Sequence, residues 1–532
     1  MITKIKIHGY RIYKKFELAP NKRLNLIVGA NEAGKSTLIE ALTLALTGRI
    51  NGRGVAEELN PYWFNTEIVA DFVKRRLLGE AAPFPKILIE IYLEDRPELQ
   101  ELLGAVNSDL PVKACPGVSL EIEPNPEYLE DLEAWAAAPS HLLPVEYYRH
   151  EWLSFAGKQL YARPKQLSTA LIDSRTVRSS SGVDYHLRQI LGYSLEPAER
   201  AAIAVAYRQV KADMSARLKD VNDRLSEQHA TPHGHPISLA MDQSARSSWE
   251  GVVTPHVNDV PFSMSGQGQQ AAIKIALAMS RHSTSANFVM VEEPENHLSH
   301  TSLTQLISRM EEMIGEEQQV FVTTHSSFVL NRLGLGALLL VGNDSYSKIS
   351  DLDGETVKYF QKLPGYDTLR MALASKIVLV EGPSDEIVFE RFFCDMFGKR
   401  PMELGIDVIS MRGLSIARCL ELCAALGKQV AVLRDNDGHA QEDLRAPVAQ
   451  WLADGRRELF IGGLEEGATL EPQLIAHNGE VVLRKVLGIT PAADLSTWMT
   501  REKTEGALRI ASSKTKLIAP AYMSAAATFI HG

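Results

Sequence analysis

Leu24-Asn25-Leu26-Ile27-Val28 runs directly into Gly29-Ala30-Asn31-Glu32-Ala33-Gly34-Lys35-Ser36-Thr37, and the apolar stretch Ser36–Leu46 follows. A short buried strand, a GxxxxGK[ST] loop and a helix in that order form a phosphate-binding P-loop in its proper context. Bare glycines let backbone N–H groups turn inward at the positive end of a helix, where they cradle phosphate. Lys35 then reaches the β and γ phosphates, and Ser36 offers its hydroxyl to Mg²⁺. Gly29, Asn31, Gly34, Lys35, Ser36 and Thr37 are therefore expected around ATP. Strand-like pieces at Ile2–Ile7 and Phe16–Leu18 precede the loop, so the chain opens as an α/β nucleotide-binding domain.

Downstream, Asn287–Val291 is an apolar run that ends in Glu292-Glu293-Pro294-Glu295. Carboxylates at a strand's C-terminal end stand where α/β sheets bind ligands. The run reads as Walker B: Glu292 holds Mg²⁺ through water and Glu293 orients the attacking water. A second apolar run, Val320–Thr324, ends in His325, where ABC ATPases carry the switch histidine that touches the γ-phosphate. Ser265-Gly266-Gln267-Gly268-Gln269-Gln270 resembles the ABC signature loop, which closes on the ATP of an opposing subunit, so the resemblance implies dimerisation across nucleotide. Two alignments of this loop are open. Gly266 and Gly268 on the usual glycines put Gln267 in the serine position, and a shifted alignment uses Ser265. ATP then acts either as a slowly turned-over substrate or mainly as a clamp.

A second α/β pattern starts near Ser375, with apolar strands at Ile377–Val380, Val408–Ser410 and Val430–Leu433 between helical stretches. Strands alternating with helices predict a parallel sheet. Glu381 follows the first strand, with Asp385 one turn later, and Asp435-Asn436-Asp437 follows the third. Oxygen ligands gathered at adjacent strand ends suit a hard cation, Mg²⁺ or Mn²⁺. Two such ions about 4 Å apart can activate water and stabilise the leaving oxygen of a phosphodiester. Asp351-Leu352-Asp353 has the same DxD spacing without a preceding strand, and Asp351–Gly354 reads as a hairpin turn.

The run Val380-Glu381-Gly382-Pro383-Ser384-Asp385-Glu386, then Ser410-Met411-Arg412-Gly413, then Asp435-Asn436-Asp437 is similar to the Toprim fold. Its union with an ABC-type ATPase resembles the OLD (overcoming lysogenization defect) family, which includes the antiphage Gabija nuclease. The resemblance covers most of the chain. It implies metal-dependent nicking or cutting of DNA, Glu381, Asp385, Asp435 and Asp437 as metal ligands, Glu471 as a later acid and Lys503 as a basic catalytic residue. It also implies a homodimer or higher homo-oligomer and a helicase or other defence-system partner.

At 532 residues the chain exceeds the roughly 250–300 residues one core can serve. Boundaries are expected at 1–345 for the ATPase, with a helical arm at about 195–230, at 346–373 for a linker, and at 374–532 for the Toprim domain with C-terminal helices. Pro197–Gln228 carries apolar residues at helical spacing and predicts one long amphipathic helix, either packed on its own domain or paired with another subunit. A formal charge of −10 gives no global attraction for DNA, so binding falls to local patches or bridging metal ions. Lys74-Arg75-Arg76 and Arg175 with Arg178 are candidate patches. Cys115, Cys394, Cys419 and Cys423 form no CxxC pair, which argues against zinc and secreted disulfides, and Cys419 and Cys423 read as core thiols. Thr231–Pro236, with His233 and His235, reads as a turn rather than a metal site. No apolar run reaches the ~18 residues needed to span a bilayer, and the alternating Met1–Lys6 is unlike a signal peptide, so a cytoplasmic protein without a membrane is expected. No transesterifying tyrosine domain, polymerase region or long coiled coil is evident, which sets aside topoisomerases, primases and SMC-like ATPases. The remaining alternative is an ABC-type DNA clamp in repair whose Toprim domain does not cut.

Overall fold

Ile2–Tyr10 is an inner strand of an antiparallel sheet, with Ile2, Ile5 and Ile7 buried in the core and Thr3 and His8 exposed. It pairs with Tyr13–Leu18 on one side and with Ile87–Leu93 on the other, and Cys115–Pro124 and Tyr148–Ser154 continue the sheet. The last two strands are not legible in the sequence, since Pro116 and Gly117 mark the first as a turn. Gly117 is there for space: a Cβ on it would lie 2.2 Å from the Phe155 ring. The computed structural model describes residues 1–29, 32–50, 52–140, 142–173, 195–228, 238–244, 249, 253, 256–257, 259–266, 270, 287–296, 298–313, 318–342, 345–348, 352–361, 366–491 and 493–532.

These residues fall into two compact units, Met1–Thr169 with Gln319–Gly532, and Ala170–Gln318. In the first, Leu24–Val28 lies between Gln319–Thr323 and Leu338–Val341, parallel to both. The P-loop leaves its C-terminal end and enters the helix Lys35–Thr47, which closes on the left-handed Gly48. Tyr346–Lys348 adds an antiparallel edge.

The C-terminal sheet is four-stranded, in the order Ile406–Ser410, Lys376–Val380, Gln429–Arg434, Arg457–Ile461, with every pair parallel. Its strands are nearly continuous apolar runs because helices cover both faces. The helix Pro383–Phe397 and the C-terminal helix Ala521–His531 share one core with it, built on Phe389, Phe392, Phe393 and Ile530. Cys419 and Cys423 are buried, as core thiols should be.

Residues 346–373, expected as a linker, carry that edge strand and the helices Gly354–Gln361 and Tyr366–Leu373. Asp353 begins a helix rather than a hairpin, its carboxylate accepting from the Glu355 N–H at 3.0 Å; Asp351 lies outside the described residues. The segment is tied to the C-terminal sheet layer by Thr356 Oγ1 donating to Glu421 at 2.6 Å and by Arg370 donating to Asp407 at 3.0 Å.

In the second unit the predicted long helix is two, Pro197–Arg217 and Lys219–Gln228, interrupted at Leu218. The apolar stripe does not pack away: Ile203 is 37%, Val210 54% and Met214 52% exposed. Thr231–Pro236, Arg175 and Arg178 lie outside the described residues. Lys74, Arg75 and Arg76 end the helix Thr66–Leu77, where Arg76 binds Glu133 and Arg75 binds Glu80. Two of the three charges are thus paired with carboxylates at a solvated helix end. Among the described residues, no helix is long and apolar enough to cross a membrane.

Candidate active site

At the P-loop, Gly34 takes φ +91°, and a Cβ there would lie 2.5 Å from Ile12 and 2.6 Å from the Tyr13 hydroxyl. The same hydroxyl donates to the Gly34 carbonyl at 3.1 Å, which fixes the loop's exit into the helix. Lys35 is only 5% exposed and its ammonium donates to the Gly29 carbonyl at 3.0 Å, so the charge is held at the loop's own mouth. Ser36 is half-buried and Thr37 buried in the first turn behind it. Asn31 lies outside the described residues.

Thr323 pairs with Ile27 in parallel register, so His325, two residues on, falls level with Gly29. The register thus brings the exposed histidine to the same sheet edge as the P-loop. Glu292 ends the strand Phe288–Glu292 of the other unit. Glu293 follows in a left-handed conformation, φ +43°, and accepts from the Asn296 amide at 2.8 Å. Strain of this kind persists where the surroundings over-determine it. Ser265 donates to the Phe262 carbonyl at 2.8 Å and Gly266 has open space around it; Gly268 lies outside the described residues.

The second site stands at the C-terminal edge of the parallel C-terminal sheet. Glu381 follows Lys376–Val380, and its carboxylate accepts from the Asp435 backbone N–H at 3.2 Å across adjacent strand ends. The Arg412 N–H, in turn, donates to the Glu381 carbonyl at 3.0 Å. Asp385 closes a capping box on the Gly382 N–H at 2.8 Å. Asp437 is left-handed, φ +48°, and its N–H donates to the Ala468 carbonyl at 3.1 Å. Glu471, 5% exposed, accepts from the Thr469 hydroxyl at 2.8 Å and meets the Lys503 ammonium at 3.4 Å. The fold thus brings Glu471 and Lys503 together from the first turns of two different helices.

Burial, then the neighbouring charges of Asp385, Glu381, Glu471 and Asp437, pushes the Asp435 carboxyl up to about 8. Glu381 and Asp385 are raised for the same reason, burial first and then neighbouring carboxylates. Tyr522, on the C-terminal helix, is raised by burial and by the same acids. A gathering of oxygen donors with more negative charge than it can hold alone is a set that fits a divalent cation. As the side chains stand, however, no three His, Cys, Asp or Glu among the described residues are close enough to hold one ion.

The sequence reading missed Asn436, Tyr522 and Thr469. Only Asn436 left a signal: its Oδ1 accepts from the Gly438 N–H at 2.8 Å, an Asx turn that the Asn-Asp-Gly spacing foreshadows.

One prediction follows from the charge. Unfolded, the Asp435 carboxyl ionises near 3.8, so between there and about 8 the folded chain holds a proton that the unfolded chain has released. Metal-free stability from this source is full below 3.8 and is lost as pH rises through about 8. Mn²⁺ at about 100 times its dissociation constant should restore about 2.7 kcal/mol. A thermal melt at pH 8 to 9, with EDTA or Mn²⁺, checks this, and Asp435→Ala should respond less.

Comparison with known proteins agrees with this layout. Residues 373–437 match the family model described as overcoming lysogenization defect protein-like, TOPRIM domain. Residues 4–92 match an AAA domain and 187–330 an AAA ATPase domain. Among solved structures, the C-terminal region of the Burkholderia pseudomallei OLD protein is 22% identical, over 30% of this chain and 97% of that one, with a TM-score of 0.25. The corresponding region of the Xanthomonas campestris pv. campestris OLD protein is 19% identical, over 30% and 92%, with a TM-score of 0.24. An SMC head bound to the C-winged helix domain of ScpA is 14% identical, over 66% of this chain and 98% of that one, with a TM-score of 0.35. The domain assignments rest on the family models.

Proposed function

Because this chain unites AAA ATPase sequence with an overcoming lysogenization defect protein-like Toprim domain, we propose that it is an ATP-binding and ATP-hydrolysing endonuclease that nicks or cuts DNA with Mg²⁺ or Mn²⁺. The ATPase, of ABC type, occupies 1–345 and the nuclease 374–532. The observation that carries the reading is the meeting of Glu381 and Asp435 at adjacent strand ends, among acids that hold the Asp435 carboxyl at about 8.

When bound, divalent cations supply an activated water and stabilise the leaving oxygen. The chain's own residues do the rest. Glu381, Asp385, Asp435, Asp437 and Glu471 would hold the cations, and Lys503, 3.4 Å from Glu471, sets a positive charge at the edge where a phosphate oxygen arrives. In the ATPase, Lys35 and His325 serve the phosphates and Glu293 orients water, while Ser265, Gly266 and Gly268 close over the nucleotide of a second copy. Support for a homodimer or higher homo-oligomer comes from the exposed apolar stripe on Pro197–Arg217. The place of action is the cytoplasm, in antiphage defence or DNA processing, with a helicase or other defence-system protein as a further partner.

The non-cutting clamp draws on one observation, the absence among the described residues of three ligands already gathered on one point. Cleavage of supercoiled plasmid by the purified protein, with Mg²⁺ or Mn²⁺ and with or without ATP, separates the two. Cutting that Asp435→Ala loses supports the nuclease. No cutting in any condition, with DNA binding retained, supports the clamp.

A further inference from the structure

Between the two aspartates at residues 435 and 437 sits a side chain that metal binding does not call for. Asn436 is 0% exposed. Its Nδ2 donates toward the carbonyl oxygens of Gly462 at 3.3 Å, Gly463 at 3.0 Å and Gly467 at 2.7 Å. Two N–H bonds thus serve three acceptors, while Oδ1 takes the Gly438 N–H at 2.8 Å.

Those three carbonyls belong to one loop, which leads from the strand Arg457–Ile461 to the helix Leu470–Asn478. The first turn of that helix carries Glu471, the partner of Lys503. The same loop is also held by the Asp437 N–H on Ala468 at 3.1 Å and by the Gln473 amide on Gly467 at 3.0 Å. The acids therefore sit on chain segments with no covalent reason to keep their spacing. Their mutual repulsion works to spread them.

We propose that Asn436 is a positioning residue: its buried amide fastens the Asp435–Asp437 turn to the Gly462–Gly467 loop and so sets the span between those aspartates and the Glu471–Lys503 pair. The inference rests on the nuclease reading and concerns how the cation site keeps its shape. A neutral donor is the group the place requires. A carboxylate there would aim oxygen at three carbonyl oxygens, and a methyl group would leave them buried without a donor. Partners that orient ligands from behind are worth about 10- to 100-fold in metal affinity.

The test is Mn²⁺ titration calorimetry on the full-length chain, comparing wild type, Asn436→Ala, Asn436→Ser and Asp435→Ala below their melting transitions. The expected result is a dissociation constant for Mn²⁺ raised about 10- to 100-fold in Asn436→Ala and less in Asn436→Ser, which keeps one donor. A variant with a lower melting temperature and wild-type Mn²⁺ affinity would show a merely structural tie and overturn the inference alone. If Asn436→Ala yields no cooperative melt, Asn436→Ser decides by the same criterion. Wild type that binds no Mn²⁺ would overturn the nuclease reading, and this inference with it.

Discussion

Replacing Asp435 or Glu381 by alanine should abolish metal-dependent cutting of plasmid DNA while leaving nucleotide binding intact. Each carboxylate lies at the end of a central strand of the C-terminal sheet, and the two are joined by the Asp435 N–H on Glu381 at 3.2 Å. Removing either takes an oxygen donor from a site whose chemistry is worth several kcal/mol of charge stabilisation, a loss on the order of a thousandfold or more. The two losses should not add, because both act through the same cations. Asp435→Asn sharpens the test, since it keeps the size and the backbone bond but not the charge. Strands Lys376–Val380 and Gln429–Arg434 are buried and unaltered by these changes, so the fold should persist. Unchanged cleavage by both alanine variants, measured as the rate of nicking at saturating Mn²⁺, would remove the site assignment.

Lys35→Ala should lose ATP binding without disturbing the metal site. The ammonium is 5% exposed and donates to the Gly29 carbonyl at 3.0 Å, so it is poised inside the loop that would receive phosphate. A charge-assisted hydrogen bond is worth about 1.5–3 kcal/mol, which is roughly a ten- to hundredfold weakening of ATP affinity. Fluorescent-nucleotide titration measures it, and affinity equal to wild type would contradict the role. The cutting rate of the same variant reports the direction of control: faster cutting means that nucleotide restrains the nuclease, and slower cutting that it activates it. The bond of Thr356 to Glu421 at 2.6 Å fastens the connecting segment to the C-terminal sheet layer.

Strand ends were the readable part of this chain. Leu24–Val28 lies where its apolar run predicts, and the buried Asn25 within it is tolerated because its amide donates to the Asn21 carbonyl at 3.1 Å and the Val320 carbonyl at 3.4 Å. Cys115–Pro124 was hidden because Pro116 and Gly117 are turn residues locally and are tolerated only through contacts with Phe155 and the neighbouring strand. Asp353 misled in the opposite sense, since an aspartate before a glycine serves a turn and a helix start equally well. The break at Leu218 has no proline or glycine to announce it.

By itself the sequence determined the P-loop between strand and helix, the alternation that makes the C-terminal sheet parallel, and the places on the chain where carboxylates leave strands. These are local properties, carried by side-chain period and by backbone groups a few residues apart. Tertiary structure alone decided which acids share a site. Glu471 and Lys503 stand on separate helices and meet at 3.4 Å only through the shared core. The position of the Asp435 carboxyl at about 8 arises from burial together with acids distant in sequence. Asn436 gains its three carbonyl partners from a loop some thirty residues on. Electrostatic coupling and buried hydrogen bonding depend on distance in space, and spacing along the chain does not encode that distance.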